Sequence, residues 1–364
     1  EGGIEKGVEQ HAVRMVTRGH QVEVYNRGGH NIYGSENDGK RLKYYKGVRI
    51  ITVPTCTNNA LTVPIYSLLS TIRAIFVRYD VVSYRASGSC VMIPLAKLFG
   101  LRCIASLHGI DSQRAKWGKF AKWYLELGEK MAAKYADELL VLSKNMQRYI
   151  WDKYHRKTIL FANGIDRVEK VSDEIIRTKY GLKKDEYILF LSRIVPEKGL
   201  HYLVKAYRSV DSDKKLVIAG GIEKETEYIV ELKKIASEDP RIIFTGFTKG
   251  GLLKSLYSNA YVYVLPSDLE GMANSLLEGM GYGNCCLVSD IPENTEVVED
   301  KAVTFRKGDV EDLRMKLQNL VDNPSVVQKY KSEAADFILA KYNWDDIVTQ
   351  MLGIYEGKIT ANDY

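Results

Sequence analysis

DLEGMANSLLEGMGYG, residues 268–283, follows an apolar run at 260–266 (AYVYVLP) that reads as a buried strand. The stretch itself reads as a turn opening a helix, with Leu276, Leu277 and Met280 as the apolar side. Glu270 falls in the turn, with Gly271 beside it. Glu278 falls about two turns inside, near the face of residue 274. A helix that opens with Glu-Gly at the C-terminal end of a strand offers its N-terminus to a ligand. The plainer possibility is a surface carboxylate pair on an ordinary amphipathic helix.

Working outward, the same strand-then-helix unit recurs along the chain. Before the stretch, strands are expected at 187–191, 215–219 and 241–245, with helices at 199–208, 225–236 and 251–259. After it come strands at 285–289 and 303–305, then helices at 310–321, 325–341 and 344–355. The first half reads likewise: strands at 21–25, 48–53, 80–85, 102–107, 138–142 and 158–162, with helices at 4–18, 64–78, 90–99, 116–135 and 144–153. Such alternation predicts an α/β chain of two doubly wound, Rossmann-like domains, each a parallel sheet covered on both faces. The expected division is 1–165 and 166–343, with a terminal helix, 344–364, returning to the first domain. Ligands of such sheets bind beyond the C-terminal strand ends, so a cleft between two facing sheets is expected. The glycine loop at Gly2-Gly3 normally follows a strand, so a first strand is expected upstream of Glu1.

A length of 364 residues suits two domains of about 150–200 residues. An apolar share of 45% and a charged share of 27% are those of a globular protein, and no run approaches the ~20 apolar residues of a membrane span. The five cysteines (56, 90, 103, 285, 286) lack metal-site spacing and, Cys56 apart, lie in apolar runs, which suggests buried thiols in a reducing cytosol. No metal or cofactor is expected. Net charge is uneven: residues 1–160 carry 25 Lys and Arg against 13 Asp and Glu, the remainder 27 against 33. A basic first half suits an anionic partner such as a membrane surface or a phosphorylated acceptor. No nucleic-acid module signature is present, so nucleic acid is not expected. Residues 113–135 add six Lys and Arg to Trp117, Phe120, Trp123 and Tyr124, a composition that fits either a membrane interface or a helix with its aromatics in the core.

Chemistry is expected at strand ends. Residues 191–199, LSRIVPEKG, set Arg193 and Lys198 in a loop between strand and helix. A guanidinium fork and an ammonium there suit a diphosphate. Gly220-Gly221 and Gly246-Phe247 end two further strands, and Phe247 has the reach to stack on a base, although a lone aromatic after a strand is more often core. His108 ends a strand in the first half and can donate to a sugar hydroxyl or serve as a satisfied structural histidine.

In order, GGIE, HG, NGID, R-x-x-x-x-K-G, AGG, TGF and E-x7-E occur along the chain. The set resembles the retaining glycosyltransferases of family 4, the group 1 glycosyltransferases of GT-B fold, and in particular those of bacterial cell-surface polysaccharides, rhamnosyl- and glucosyltransferases included. The resemblance implies transfer of a sugar from a nucleoside-diphosphate donor, UDP or dTDP favoured, to a hydroxyl of a glycan or lipid-linked acceptor, with retention and without a metal. It implies that Arg193 and Lys198 hold the diphosphate, that Glu278 binds the ribose, and that Glu270 sits by the donor sugar. It further implies that Gly271, Met272 and Ala273 offer backbone groups to that sugar, that His108 contacts it near the reaction centre, and that Gly3 approaches phosphate or acceptor. Gly221 and Phe247 join the expected donor site. The buried thiols suggest a cytoplasmic location, and the basic first half a peripheral place at the inner face of the plasma membrane as one option. Departures from the pattern are Ala273-Asn274 in place of Pro and a small residue, Ser192 in place of Gly, and Arg85 at a strand end where His is frequent. The alternatives are a GT-B nucleotide-sugar epimerase and a non-catalytic GT-B partner subunit.

Overall fold

A computed structural model describes residues 3–28, 42–56, 59–110, 118–222 and 225–363. Two compact units emerge, one of residues 1–163 with 344–364, the other of 164–343.

The second unit is a six-stranded parallel sheet. Numbering every described strand in chain order, β1 to β7 are Glu23–Arg27, Tyr44–Tyr45, Val48–Val53, Val82–Arg85, Cys103–Leu107, Glu138–Val141 and Ile159–Leu160. Strands β8 to β13 are Tyr187–Leu191, Lys215–Ala219, Ile242–Gly246, Val262–Leu265, Cys285–Ser289 and Val303–Phe305. The spatial order of the second sheet is β10-β9-β8-β11-β12-β13. The chain winds outward from β8 to β10, then returns to the other side of β8 with β11. The topological switch point therefore lies between β8 and β11, where open α/β sheets hold ligands.

Burial explains why these runs are strands. Ile188 and Phe190 of β8 point to one face and Leu189 to the other, and all three are buried. Helices cover both faces, so β8 and β12 read as continuous apolar runs instead of alternating ones. The helix Leu200–Tyr207 shows the complementary period: Leu200, Leu203, Val204 and Tyr207 form one buried stripe against the sheet.

The first unit departs from the single sheet expected of its sequence. Its described strands form two sheets, β1-β3-β2 and the parallel β4-β5-β6-β7. Strand β2 pairs antiparallel with β3 through a tight turn at Lys46 (φ 46°) and Gly47 (φ 83°), a primed hairpin geometry that the sequence reading passed over. The helix expected at 90–99 is two short ones, Ser87–Cys90 and Ile93–Leu98. Pro94 lies in the first turn of the second, where a missing N–H costs nothing. The first strand begins at Glu23 instead of Gln21, and the polar helix Pro292–Val298 was not anticipated. Gly2, Asp111 and Trp117 lie outside the described residues.

Candidate active site at the switch point

Lys198 closes a 3-10 turn, Pro196–Lys198, just beyond β8, and Glu270 lies in the loop beyond β11. Since β8 and β11 are adjacent, these two loops face each other across the switch point. They make contact. The Lys198 ammonium donates to Glu270 Oε1 at 2.6 Å and to Oε2 at 2.7 Å. Both side chains are largely buried, 12% and 6% exposed, so the pair is shielded from the screening that weakens surface ion pairs.

The carboxylate is held further by a relay of small polar side chains. Ser267 Oγ donates to Glu270 Oε1 at 2.6 Å. Ser289 Oγ, at the end of β12, donates to the Ser267 carbonyl at 2.5 Å. Asn294 Nδ2 donates to Ser289 Oγ at 3.1 Å. Sequence reasoning missed Ser267, Ser289 and Asn294. Their signal was present, since Ser267 lies just past β11 and Ser289 ends β12.

The two loops come together because one residue has no side chain. A Cβ on Gly199 would sit 1.9 Å from the Pro266 carbonyl oxygen, and its φ of 65° is left-handed. The Asp268 amide then donates to the Glu197 carbonyl at 2.9 Å, locking the loops. Gly220, beyond β9, does the same for the Arg193 loop, its Cβ position being 2.0 Å from Ser192 O. Arg193 lies half-buried in that loop.

The organising helix starts later than the sequence suggested, at Asn274, and runs to Gly281. Ala273 is its N-cap and makes no side-chain capping bond. Gly271 and Met272 lie half-buried in the approach to it. Glu278 is its fifth residue, so it lies one turn inside the helix and not two. Beside it is a buried aromatic cluster: Tyr257 stacks on Tyr282 at 5.3 Å and tilts against Tyr263 at 5.8 Å. Burial first, then the Glu278 carboxylate, raise the Tyr257 hydroxyl well above its ordinary range.

Phe247 is not core. It is 52% exposed, and its ring lies 3.5 Å from the Cβ position of Gly221, so the two residues form one exposed corner at the ends of β9 and β10. Gly3 and His108 belong to the first unit. Gly3 starts the helix Gly3–Thr17. His108 follows β5 and is 8% exposed. Burial, then the Arg85 charge, push its imidazole down to about 3, so it is neutral at physiological pH.

Comparisons with known proteins agree with this architecture. Residues 172–337 match the family described as Glycosyl transferases group 1, and residues 1–169 match Glycosyltransferase Family 4. The capsular polysaccharide biosynthesis glycosyltransferase CapM of Staphylococcus aureus is 21% identical over 322 residues, 84% of this chain and 84% of its own. The uncharacterized glycosyltransferase MJ1607 of Methanocaldococcus jannaschii is 27% identical over 185 residues, 50% of this chain. The chain spans 47% of that relative's length. Among solved structures, sucrose-phosphate synthase (tll1590) from Thermosynechococcus elongatus aligns with a TM-score of 0.83 at 20% identity, over 98% of this chain and 93% of the other. Anabaena Alr3699/HepE, solved in complex with UDP and glucose, aligns with a TM-score of 0.81 at 16% identity, over 98% and 96%.

Proposed function

The chain belongs to the group 1, family 4 glycosyltransferases of GT-B fold, and from that premise we propose that it moves a sugar from a UDP- or dTDP-linked donor to a hydroxyl of a glycan or lipid-linked acceptor. Retention of configuration, freedom from a metal requirement and a place in bacterial surface polysaccharide synthesis belong to the same proposal. The role of CapM in capsular polysaccharide biosynthesis supports the last of these. The bound UDP and glucose of HepE support the donor class.

The observation that carries the reading is the buried Lys198–Glu270 pair at the switch point. Breaking a glycosyl–phosphate bond builds negative charge on the departing diphosphate, and fixed cations stabilise that charge. An ammonium has three N–H donors. Two are engaged with Glu270, which aims the third and fixes the nitrogen in place. Arg193 in the neighbouring loop supplies the planar fork for a second phosphate contact. Glu278, one turn into the helix, takes the ribose, while the uncapped start of that helix, with Gly271, Met272 and Ala273, faces the sugar. Gly221 and Phe247 border the base; in the first unit, Gly3 and His108 are the residues assigned to the reaction by the family resemblance.

Glu270 acts as a positioner and not as a nucleophile. Both of its oxygens accept bonds from Lys198, and one also accepts from Ser267, which lowers the availability of its lone pairs. Attack by the acceptor hydroxyl on the face the diphosphate leaves is therefore favoured over a covalent glycosyl-enzyme. The neutral His108 serves as a hydrogen-bond partner, since an imidazole that protonates only near pH 3 is no acid at pH 7. None of the five cysteines is in a disulfide and four are buried, which supports a cytoplasmic setting. No described helix is long and apolar enough to cross a membrane. Peripheral attachment at the inner face of the plasma membrane belongs to the same proposal.

A panel of nucleoside-diphosphate sugars, read by nucleotide release and by NMR of the product's anomeric centre, tests the proposal. Release from one donor class with retained configuration is expected. A sugar isomerised without an acceptor, or no turnover with any donor, would overturn it.

A further inference from the structure

The first unit holds a group of polar side chains of which the transfer chemistry above uses only His108. Strand β4 ends in Arg85, whose register partner on β5 is Ser106. His108 follows β5 two residues later. His11, on the helix Gly3–Thr17, packs against Phe161 at 5.3 Å and edge-on against Trp344 at 5.2 Å. Phe161 lies just beyond β7, its amide bonded to the Val141 carbonyl at the end of β6. The C-terminal edge of the sheet β4-β5-β6-β7 therefore gathers Arg85, Ser106, His108 and His11.

These groups are buried and unsatisfied. His11 is 2% exposed, Ser106 2% and His108 8%. Both ring nitrogens of His11, His108 Nε2, Ser106 Oγ and Arg85 Nη1 are shielded from solvent and have no hydrogen-bond partner among the described residues. Orphaned buried polar atoms are uncommon, and several at one strand edge call for a ligand. After burial, the charge that acts on them has one sign: Arg85, His108 and Arg14 lower the His11 imidazole, and Arg85 lowers that of His108. Arg14 is already taken, ion-paired to Asp345 at 3.5 Å and lying over the Trp344 ring. The backbone is strained at the same point. Ala86, directly after Arg85, holds φ 68° and ψ 151°, a region that is essentially glycine's.

We propose that Arg85, His11 and His108, with Ser106, form an oxyanion site at the C-terminal edge of β4–β7 that takes a phosphate group esterified to the acceptor. A guanidinium fork, two imidazoles and a hydroxyl supply donors from several directions, which suits a tetrahedral oxyanion better than a planar carboxylate. An arriving anion satisfies the orphaned atoms and pairs with the buried Arg85 guanidinium. It also favours the charged imidazoles, so the histidines are pushed back up as it binds. The basic first half of the sequence then has a local purpose as well as a long-range one. Assigning the phosphate to the acceptor rests on the transferase reading; the anion site itself does not.

The test is a 31P NMR titration of the whole chain with inorganic phosphate and with glucose 1-phosphate, alongside UDP binding. Arg85→Met should weaken both phosphate probes at least ~10-fold, the loss of one charge-assisted contact, while UDP binding stays unchanged. Arg85→Lys should rescue most of the loss. Imidazole NMR should show His108 titrating higher in the presence of phosphate. If Arg85→Met does not fold, His11→Asn carries the same comparison. Phosphate binding equal in wild type and Arg85→Met would overturn the site, as would equal weakening of UDP. Inorganic phosphate bound in preference to the ester, with the ester excluded, would overturn the acceptor assignment. Failure of donor turnover with intact phosphate binding would instead count against the transferase reading.

Discussion

In the proposed transfer Lys198 is the residue on which the chemistry turns: its ammonium is bonded to Glu270, and the proposal sets it against the donor's diphosphate. Losing a charge-assisted hydrogen bond costs about 1.5–3 kcal/mol, and more where charge grows in the transition state. Lys198→Ala should lower turnover at least ~10-fold, whereas Glu278→Ala should raise the donor KM and leave turnover nearly intact, because ribose contacts change little as the bond breaks. Steady-state kinetics with varied donor separates the two. The buried histidines give a second residue-scale expectation. Unfolded, an imidazole titrates near 6.5; folded, His108 protonates only near 3, and His11 is likewise held well below the ordinary value. Between those limits the unfolded chain binds protons that the folded one refuses, so stability falls as pH drops from about 6.5 towards 3. The slope is up to about 1.4 kcal/mol per pH unit for each histidine. Thermal melts of His108→Gln against wild type at pH 7 and pH 5 should show a smaller acid-induced loss in the variant. Equal losses would mean that His108 is protonated in the folded chain.

At the scale of elements, two loops are joined where Gly199 meets the Pro266 carbonyl. Gly199→Ala must both adopt φ 65° and move that carbonyl, so it should separate Lys198 from Glu270 and cost activity more than stability. Turnover and a thermal melt on the same sample decide it: full activity with the wild-type melt would show that the loops tolerate the Cβ. Strands were the legible part of this unit. Tyr187–Leu191, Lys215–Ala219 and Cys285–Ser289 stand at the bounds their apolar runs indicate, because a strand buried on both faces leaves an unbroken signature. The pairing of β8 with β11 was not legible, since adjacency across a switch point is a tertiary property that no local pattern carries. The Lys198–Glu270 contact follows from that adjacency and the Ser267–Ser289–Asn294 relay from the pairing of β11 with β12, so neither was legible as a contact, although Ser267 and Ser289 stand at strand ends. Likewise the antiparallel hairpin at Lys46-Gly47 hides in charged residues, whereas Phe247, for which the sequence left both a base-stacking and a core place open, stands outside because the chain leaves β10 there.

Across the whole molecule the charge is divided, with the excess of Lys and Arg in residues 1–160. Phe120 and Trp123, on the helix Lys119–Tyr135, are 55% and 56% exposed, so the aromatics of that basic helix are turned in part to solvent. Attachment to anionic vesicles that weakens as salt is raised is the expected outcome of co-sedimentation; equal binding to neutral vesicles would remove the electrostatic explanation. In the proposed reaction Lys198 and Arg193, both of the second unit, supply the positive charge that the departing diphosphate needs. The most direct measurement is single-turnover sugar transfer in excess EDTA, wild type beside the Arg193→Ala, Lys198→Ala double variant. The account predicts that wild type keeps its rate in EDTA and that the double variant loses at least ~100-fold, two contacts at about a decade each. A wild-type rate that collapses in EDTA and returns with magnesium, with the double variant still active, would contradict it.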